Sequence, residues 1–255
     1  MPKKELGQHW LTDRNILSAI AESAELTPED TVLEIGPGLG TLTSELLRNS
    51  KKVVAVEFDE DLARKLPGQF PGTSLEVIHE DILDFNLGSL PAGYKVVANV
   101  PYYITSKIVH KLMTANNKPS LVVLLVQKEV AERIAAEPGD MSILAVSAQI
   151  YAEASLDIEV PREYFTPPPK VDSQVVVLRT YNTPLVDGED ERKLFRVVKA
   201  GFAARRKKLR SSISAGLAIS KTDAETILNS ADIDPKKRAQ DLSIEDWQRL
   251  AKEVK

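Results

Sequence analysis

No cysteine occurs among the 255 residues, which excludes disulfides, thiolate metal ligands and a thiol nucleophile. Histidine is almost as scarce. His9, His79 and His110 stand far apart without the spacing of a ligand set, so no metal site is expected. No apolar run approaches the ~18 residues of a membrane span, and Met1-Pro2-Lys3-Lys4-Glu5 lacks the apolar stretch of a signal peptide. No membrane partner is expected, and the cytoplasm is the expected location. Internal repeats and low-complexity tracts are missing too. What remains is 43% hydrophobic and 27% charged, ordinary for a globular chain and long enough for one large domain or a large and a small one.

The net charge of −4 is unevenly spread. Residues 182–255 carry 16 Lys and Arg against 12 Asp and Glu, net +4, while the rest carries 17 against 25, net −8. That balance argues against indiscriminate binding to nucleic acid, and no DNA partner is expected. It suits a local, oriented anionic partner.

The chain opens with a basic, aromatic lead-in over 3–12, then a helix that Thr12 or Asp13 can cap, with Ile16, Leu17, Ile20 and Ala24 at helical spacing. Thr31 to Ile35 is a short apolar strand, and Thr41 can cap a helix to about Asn49. Strands and helices then alternate: 52–58 and 59–66, 74–79, 95–98 and 104–115, 121–126 and 128–136. Such alternation predicts βαβ units and a mostly parallel sheet covered by helices. Residues 142–152 read as a further helix, 158–161 and 173–179 as late strands, with the stiff loop Tyr164 to Lys170 between them. The polar, turn-rich stretch from Asn182 to Glu189 sets an expected boundary between domains 1–183 and 184–255. Beyond it, four helices are expected near 189–203, 206–218, 222–231 and 243–253.

Two stretches carry chemistry. Gly36-Pro37-Gly38-Leu39-Gly40 follows a strand and opens a helix, so backbone there can approach a ligand closely. Glu57 closes the next strand, 21 residues after Gly36, near the ~20 expected of an acid on ribose hydroxyls. Asp81 and Asn99 close the following two. Such a series converges on the crevice outside the sheet's carboxyl edge. The G-x-G-x-G spacing differs from that of hydride-transfer folds, and Glu34 just before it would repel a pyrophosphate but suits a cationic ligand. S-Adenosylmethionine, with a sulfonium, an ammonium and no phosphate, fits, and methyl transfer is favoured over oxidoreduction.

The second stretch is Ala98-Asn99-Val100-Pro101-Tyr102-Tyr103. Pro101 cannot donate to a sheet ladder, so the strand ends there and presents Asn99 at its tip. An amide acceptor, backbone carbonyls and an aromatic face together suit a flat ring bearing an exocyclic NH2.

Asn99-Val100-Pro101-Tyr102 resembles the N-x-P-Y signature of amino methyltransferases. Four further stretches resemble the KsgA family of small-subunit (16S) ribosomal RNA adenine-N6,N6-dimethyltransferases and cover nearly the whole chain: Leu6 to Asp13, Gln127 to Arg133, Phe165 to Ser173, and Gly201 to Leu209. Trp10, where the family usually has phenylalanine, and the short segment 137–142 depart from its pattern. The resemblance implies a Rossmann-like methyltransferase domain with a small all-α RNA-binding domain. It implies catalytic roles for Asn99, Val100, Pro101 and Tyr102, the last stacking on the target adenine with Phe165 on its other face. Cofactor contacts are implied for His9, Leu11, Gly36, Gly38, Glu57, Asp81 and Asn99, and RNA contacts for Arg205, Arg206, Lys207, Lys208 and Arg210. On the residues alone, a bland reading stands beside each role: Phe165 as a core plug, second to its stacking role, and the basic run as a solvated helix face. The expected partner is small-subunit ribosomal RNA, met as a monomer during ribosome biogenesis. Two alternatives stay open: a large-subunit adenine methyltransferase of the antibiotic-resistance type, and an assembly checkpoint whose binding outweighs its catalysis.

Overall fold

A computed structural model describes residues 9–183, 185–186 and 188–254, without the side chain of Tyr102. Leu6, Gly7 and Gln8 of the lead-in lie outside the described residues. The chain divides into two units, Met1–Glu132 with Ala152–Thr180, and Arg133–Tyr151 with Tyr181–Lys255.

The first unit begins with the two-residue strand β1 (Trp10–Leu11) and helix α1 (Arg14–Glu22). Asp13 is the cap: its carboxylate accepts from Asn15 N (3.0 Å) and Ile16 N (3.1 Å), a contact worth ~1 kcal/mol. β2 (Thr31–Ile35), α2 (Thr41–Asn49), β3 (Lys52–Glu57), α3 (Glu60–Lys65), β4 (Leu75–His79), β5 (Lys95–Asn99), α4 (Thr105–Thr114), β6 (Leu121–Gln127) and α5 (Lys128–Ile134) follow. β-Branched runs such as Val53-Val54-Ala55-Val56 are buried on both faces, as strands between helices must be. The helix α6 (Ile143–Gln149) precedes β7 (Ala152–Val160), β8 (Phe165–Thr166) and β9 (Ser173–Thr180).

The seven-stranded sheet has the order β4-β3-β2-β5-β6-β9-β7. Its first five strands are parallel, and β9 joins β6 and β7 antiparallel. Leu17, Ile20 and Ala21 of α1 and Leu42 and Leu46 of α2 pack with Val32, Val53, Val97 and Val123 in one buried cluster. Each such valine, leucine or isoleucine contributes ~1.5–3 kcal/mol. The chain winds outward from β2 to β4, then restarts on the other side at β5, so the crevice between the carboxyl ends of β2 and β5 is the switch point where such sheets take ligands.

The second unit holds α7 (Gly188–Phe202), α8 (Leu209–Leu217), α9 (Lys221–Ser230) and α10 (Ile244–Glu253), packed on Leu194, Val198, Leu209, Leu228 and Trp247. Two expectations need correction. The helix expected over 142–152 stops at Gln149, and Ala152 already belongs to β7, paired with Thr180. The boundary expected after residue 183 describes only the second crossing. The chain first enters the helical unit at Arg133–Tyr151, where Gly139 N donates to Gln240 O (2.8 Å) and Tyr151 Oη to Glu191 (2.6 Å). Chain order cannot show contacts made to a segment a hundred residues on.

Candidate active site

A cavity of about 340 Å³ opens at the carboxyl edge of the sheet, lined by the turn after β2, the ends of β3 and β5, the segment after β4, and the start of the chain. The turn after β2 is held in left-handed backbone, with φ of +66° at Gly36, +58° at Gly38 and +78° at Gly40. Gly36 and Gly38 face the cavity, whereas Gly40 answers to packing. A Cβ on Gly40 would lie 2.6 Å from Leu66 Cδ1 and 2.8 Å from Phe70 Cε2. Gly40, not Thr41, occupies the N-cap position of α2. Thr41 Oγ1 instead donates to Leu11 O (2.9 Å) and ties the start of the chain over the turn.

Glu57 supports the same turn. Its Oε2 accepts from Gly38 N (3.0 Å) and its Oε1 from Asp59 N (2.9 Å), and each oxygen keeps capacity for a further donor. Burial raises its pKa, opposed by those backbone hydrogen bonds. Asp81 lies on the wall with Oδ1 accepting from Leu83 N (2.9 Å). Glu34 differs from expectation. It is buried, takes a 2.6 Å hydrogen bond from Thr43 Oγ1, and burial pushes its pKa up to about 8, with nearby Glu57 adding to the rise. At neutral pH Glu34 is mostly protonated, so it presents no full negative charge to a cation.

The start of the chain forms one wall. β1 pairs antiparallel with β8, Leu11 opposite Phe165 and Trp10 opposite Thr166. His9 Nδ1 lies 2.7 Å from Pro167 O. Trp10 packs against Gly38, its Nε1 3.7 Å from where a Cβ would stand. Strands of two residues leave no periodic signal, so this pairing was not legible. The pairing also relocates Phe165. Its side chain is 2% exposed, belongs to the core cluster and does not line the cavity. The expected place for Phe165 against a target base is corrected to a core position.

Asn99 ends β5, half-buried on the cavity wall beside Val100 and Pro101. Its Nδ2 donates to His9 O (3.5 Å), and no described group donates to its Oδ1. Residues 102–104 make a 3₁₀ turn before α4, and the Tyr103 ring stands 66% exposed at the mouth. The stacking role expected of Tyr102 falls on a side chain outside the described residues. The cavity thus gathers His9, Leu11, Gly36, Gly38, Glu57, Asp81 and Asn99, the expected cofactor residues, with Val100 and Pro101. Phe58, Ile82 and Lys107, not anticipated, line it too. A phenylalanine directly after a strand-end acid was the available signal for Phe58, which the structure leaves exposed.

The basic run also differs from expectation. Residues 203–206 form a turn, and α8 starts only at Leu209. Arg205, Arg206, Lys207 and Lys208 are therefore exposed on a loop, not along a helix face. Arg210 lies in α8 and pairs with Glu225 at 2.8 Å. Leu209 N donates to Lys237 O (2.7 Å), a distant contact that fixes where the helix begins.

Among the described residues no group of His, Cys, Asp and Glu could hold a metal ion. No helix among them is long and apolar enough to cross a membrane. The donor set fits S-adenosylmethionine. Two cavity-facing glycines admit close backbone approach, Glu57 and Asp81 can accept from hydroxyls and an amine, and no arginine among the described residues lines the cavity to hold a pyrophosphate.

The switch-point cavity and the sheet order define a Rossmann-like methyltransferase, a fold that implies S-adenosylmethionine as cofactor. The sequence profile of the family described as ribosomal RNA adenine dimethylase matches residues 2–255, and the chain belongs to that family. It is 44% identical to ribosomal RNA small subunit methyltransferase A of Dehalococcoides mccartyi strain CBDB1, over 98% of this chain and 88% of the relative. The protein of the same name in Geobacillus sp. is 40% identical over 98% and 90%. Among solved structures, a dimethyladenosine transferase from Plasmodium falciparum superposes with a TM-score of 0.82 at 28% identity, over 95% of this chain and 96% of that one. The 23S rRNA methyltransferase ErmE gives 0.80 at 30%, over 96% and 98%. Membership makes the chain an adenine-N6 methyltransferase of ribosomal RNA.

Proposed function

We propose that this protein methylates the N6 amines of two adjacent adenosines near the 3′ end of small-subunit ribosomal RNA, as a cytoplasmic monomer acting during ribosome biogenesis. The observation that carries this reading is the end-to-end likeness to small-subunit methyltransferases, 44% and 40% identical over 98% of this chain.

An exocyclic amine is a poor nucleophile because its lone pair is delocalised into the ring. S-Adenosylmethionine, when bound, supplies a methyl group on a positively charged sulfur. Gly36 would lie against its methionine part, Glu57 would accept from the ribose hydroxyls and Asp81 from the adenine amine, while His9 and Leu11 would close the wall. Asn99 Oδ1, with no described donor of its own, accepts one N–H of the target amine, and the Val100 carbonyl accepts the other. Both bonds strengthen as positive charge develops on the nitrogen, so they favour the transition state over the ground state. Pro101 stiffens the turn, and Tyr102 stacks on the base. Holding amine and methyl donor in line can supply up to ~7–11 kcal/mol in favourable cases. The exposed turn Arg205 to Lys208, without an acidic partner among the described residues, grips RNA phosphates, which positions the substrate rather than specifying it.

Incubation of the protein with immature small subunits and S-adenosylmethionine, followed by mass-spectrometric mapping of methylated nucleosides, tests the reading. Dimethyladenosine in small-subunit RNA is expected. Modification of large-subunit RNA instead would favour the second reading, to which the ErmE likeness points. An Asn99→Ala variant that still restores subunit assembly in cells would mark binding, not transfer, as the essential role.

A further inference from the structure

Charge in the cavity is sorted along the sheet edge. Glu57 ends β3, and Glu80 and Asp81 follow β4, on one side of the switch point. Lys107, the one lysine or arginine on the cavity wall among the described residues, comes from the first turn of α4, which follows Asn99, Val100, Pro101 and the 3₁₀ turn 102–104. It is exposed and makes no ion pair or hydrogen bond with any described residue. Lys111, one turn further along α4, is committed, its Nζ donating to Leu83 O (2.8 Å). Stability does not explain Lys107 either. It stands in the first turn of a helix with no acidic residue there, where the helix dipole disfavours a cation.

We infer that Lys107 binds a phosphate of the RNA strand beside the adenosine seated at Asn99, and so positions the acceptor. The inference rests on the reading of an RNA adenosine as acceptor. The cofactor's carboxylate is offset by its own ammonium, and the sulfonium leaves it net positive, so it repels an ammonium; an adenine ring carries no charge. The phosphate is the anionic part of the acceptor that must reach the mouth of the cavity when the base enters it. A lysine with three rotatable donors on a long stem suits such a point contact, which tolerates sequence and sets register.

The test compares Lys107→Ala, Lys107→Glu and Lys107→Arg in the full-length protein. Methylation kinetics on small subunits are measured at several salt concentrations, with cofactor affinity by calorimetry and melting temperature as controls. Lys107→Ala is expected to raise KM for the RNA substrate roughly tenfold, as for a lost charge-assisted hydrogen bond. The slope of log affinity against log salt should flatten by ~0.7–0.9, the value for one phosphate. Lys107→Glu should be worse and Lys107→Arg close to the parent, with the effect in KM rather than kcat. Unchanged KM and salt slope in Lys107→Ala would overturn the inference. Weakened cofactor binding at unchanged RNA KM would overturn it too, assigning Lys107 to the cofactor carboxylate. Absence of any RNA methylation by the parent protein would instead overturn the acceptor reading itself, and this inference with it.

Discussion

At the scale of single residues, two polar side chains in one cavity are set for different tasks by what surrounds them. Asn99 has its amide nitrogen tied to the His9 carbonyl, which leaves the oxygen as the unused end. Replacing it with alanine should abolish transfer while weakening cofactor binding far less, because its main partner is the amine in the transition state. Near-normal single-turnover rates in Asn99→Ala would overturn that mechanism. Glu34 is a buried acid held neutral. Its pKa in the folded protein is about 8 against 4.5 for the free group. Between those values the folded protein keeps a proton that the unfolded chain has released, so stability falls as pH rises from 4.5 toward 8 and levels off above. Glu34→Gln keeps an acceptor for Thr43 and removes the titration. Denaturant unfolding across that range should show a shallower fall, with the remainder set by Glu57, which is shifted in the same direction. An unchanged fall would mean that Glu34 is already ionised in the folded protein.

At the scale of elements, the turn after β2 and the loop before α8 show what neighbours add to a local pattern. Glu57 holds the turn through Gly38 N and Asp59 N while facing the cavity. Glu57→Ala removes acceptors from groups that stay buried, at ~1–3 kcal/mol. Calorimetric titration should show weaker cofactor binding by that margin, and parental affinity would remove Glu57 from the cofactor site. Before α8, the four cations on the exposed loop are free of the stacking constraints of a helix face. Reversing Arg206 and Lys207 to Glu should weaken binding to small subunits and flatten its salt dependence by ~0.7–0.9 per lost phosphate contact. Melting temperature and cofactor affinity should hold. Unchanged RNA affinity in the folded double variant would return the loop to plain solvation.

At the scale of the whole molecule, the two units rely on different packing. The sheet unit is built on β-branched strands under α1 and α2. The helical unit centres on Trp247, fully buried, its ring 5.5 Å from that of Phe202. Gly201 makes room for it, since a Cβ there would lie 2.4 Å from Trp247 Cη2. Gly201→Ala therefore overpacks the unit, at ~1–3 kcal/mol. Lowered stability, followed through tryptophan fluorescence, is the expected result, and a variant as stable as the parent would show that the indole yields at no cost.

Much of the fold is local and so was written in the chain. Val-rich runs ending in Gly36, Glu57 and Asn99 are strands because their side chains suit a sheet buried on both faces, and their polar ends face one crevice because parallel strands share a direction. The helices α7, α9 and α10 follow their apolar spacing within a residue or two. Tertiary structure alone decided the rest. Phe165 became core because β8 pairs with β1, placing Phe165 opposite Leu11, 154 residues earlier, and α8 begins at Leu209 because Lys237 supplies its partner. Segment 133–151 joined the helical unit through Gln240 and Glu191. Glu34 lost its charge because the surrounding core excludes water. Each of these turns on a partner far along the chain or on burial, and neither is expressed in the residues next door.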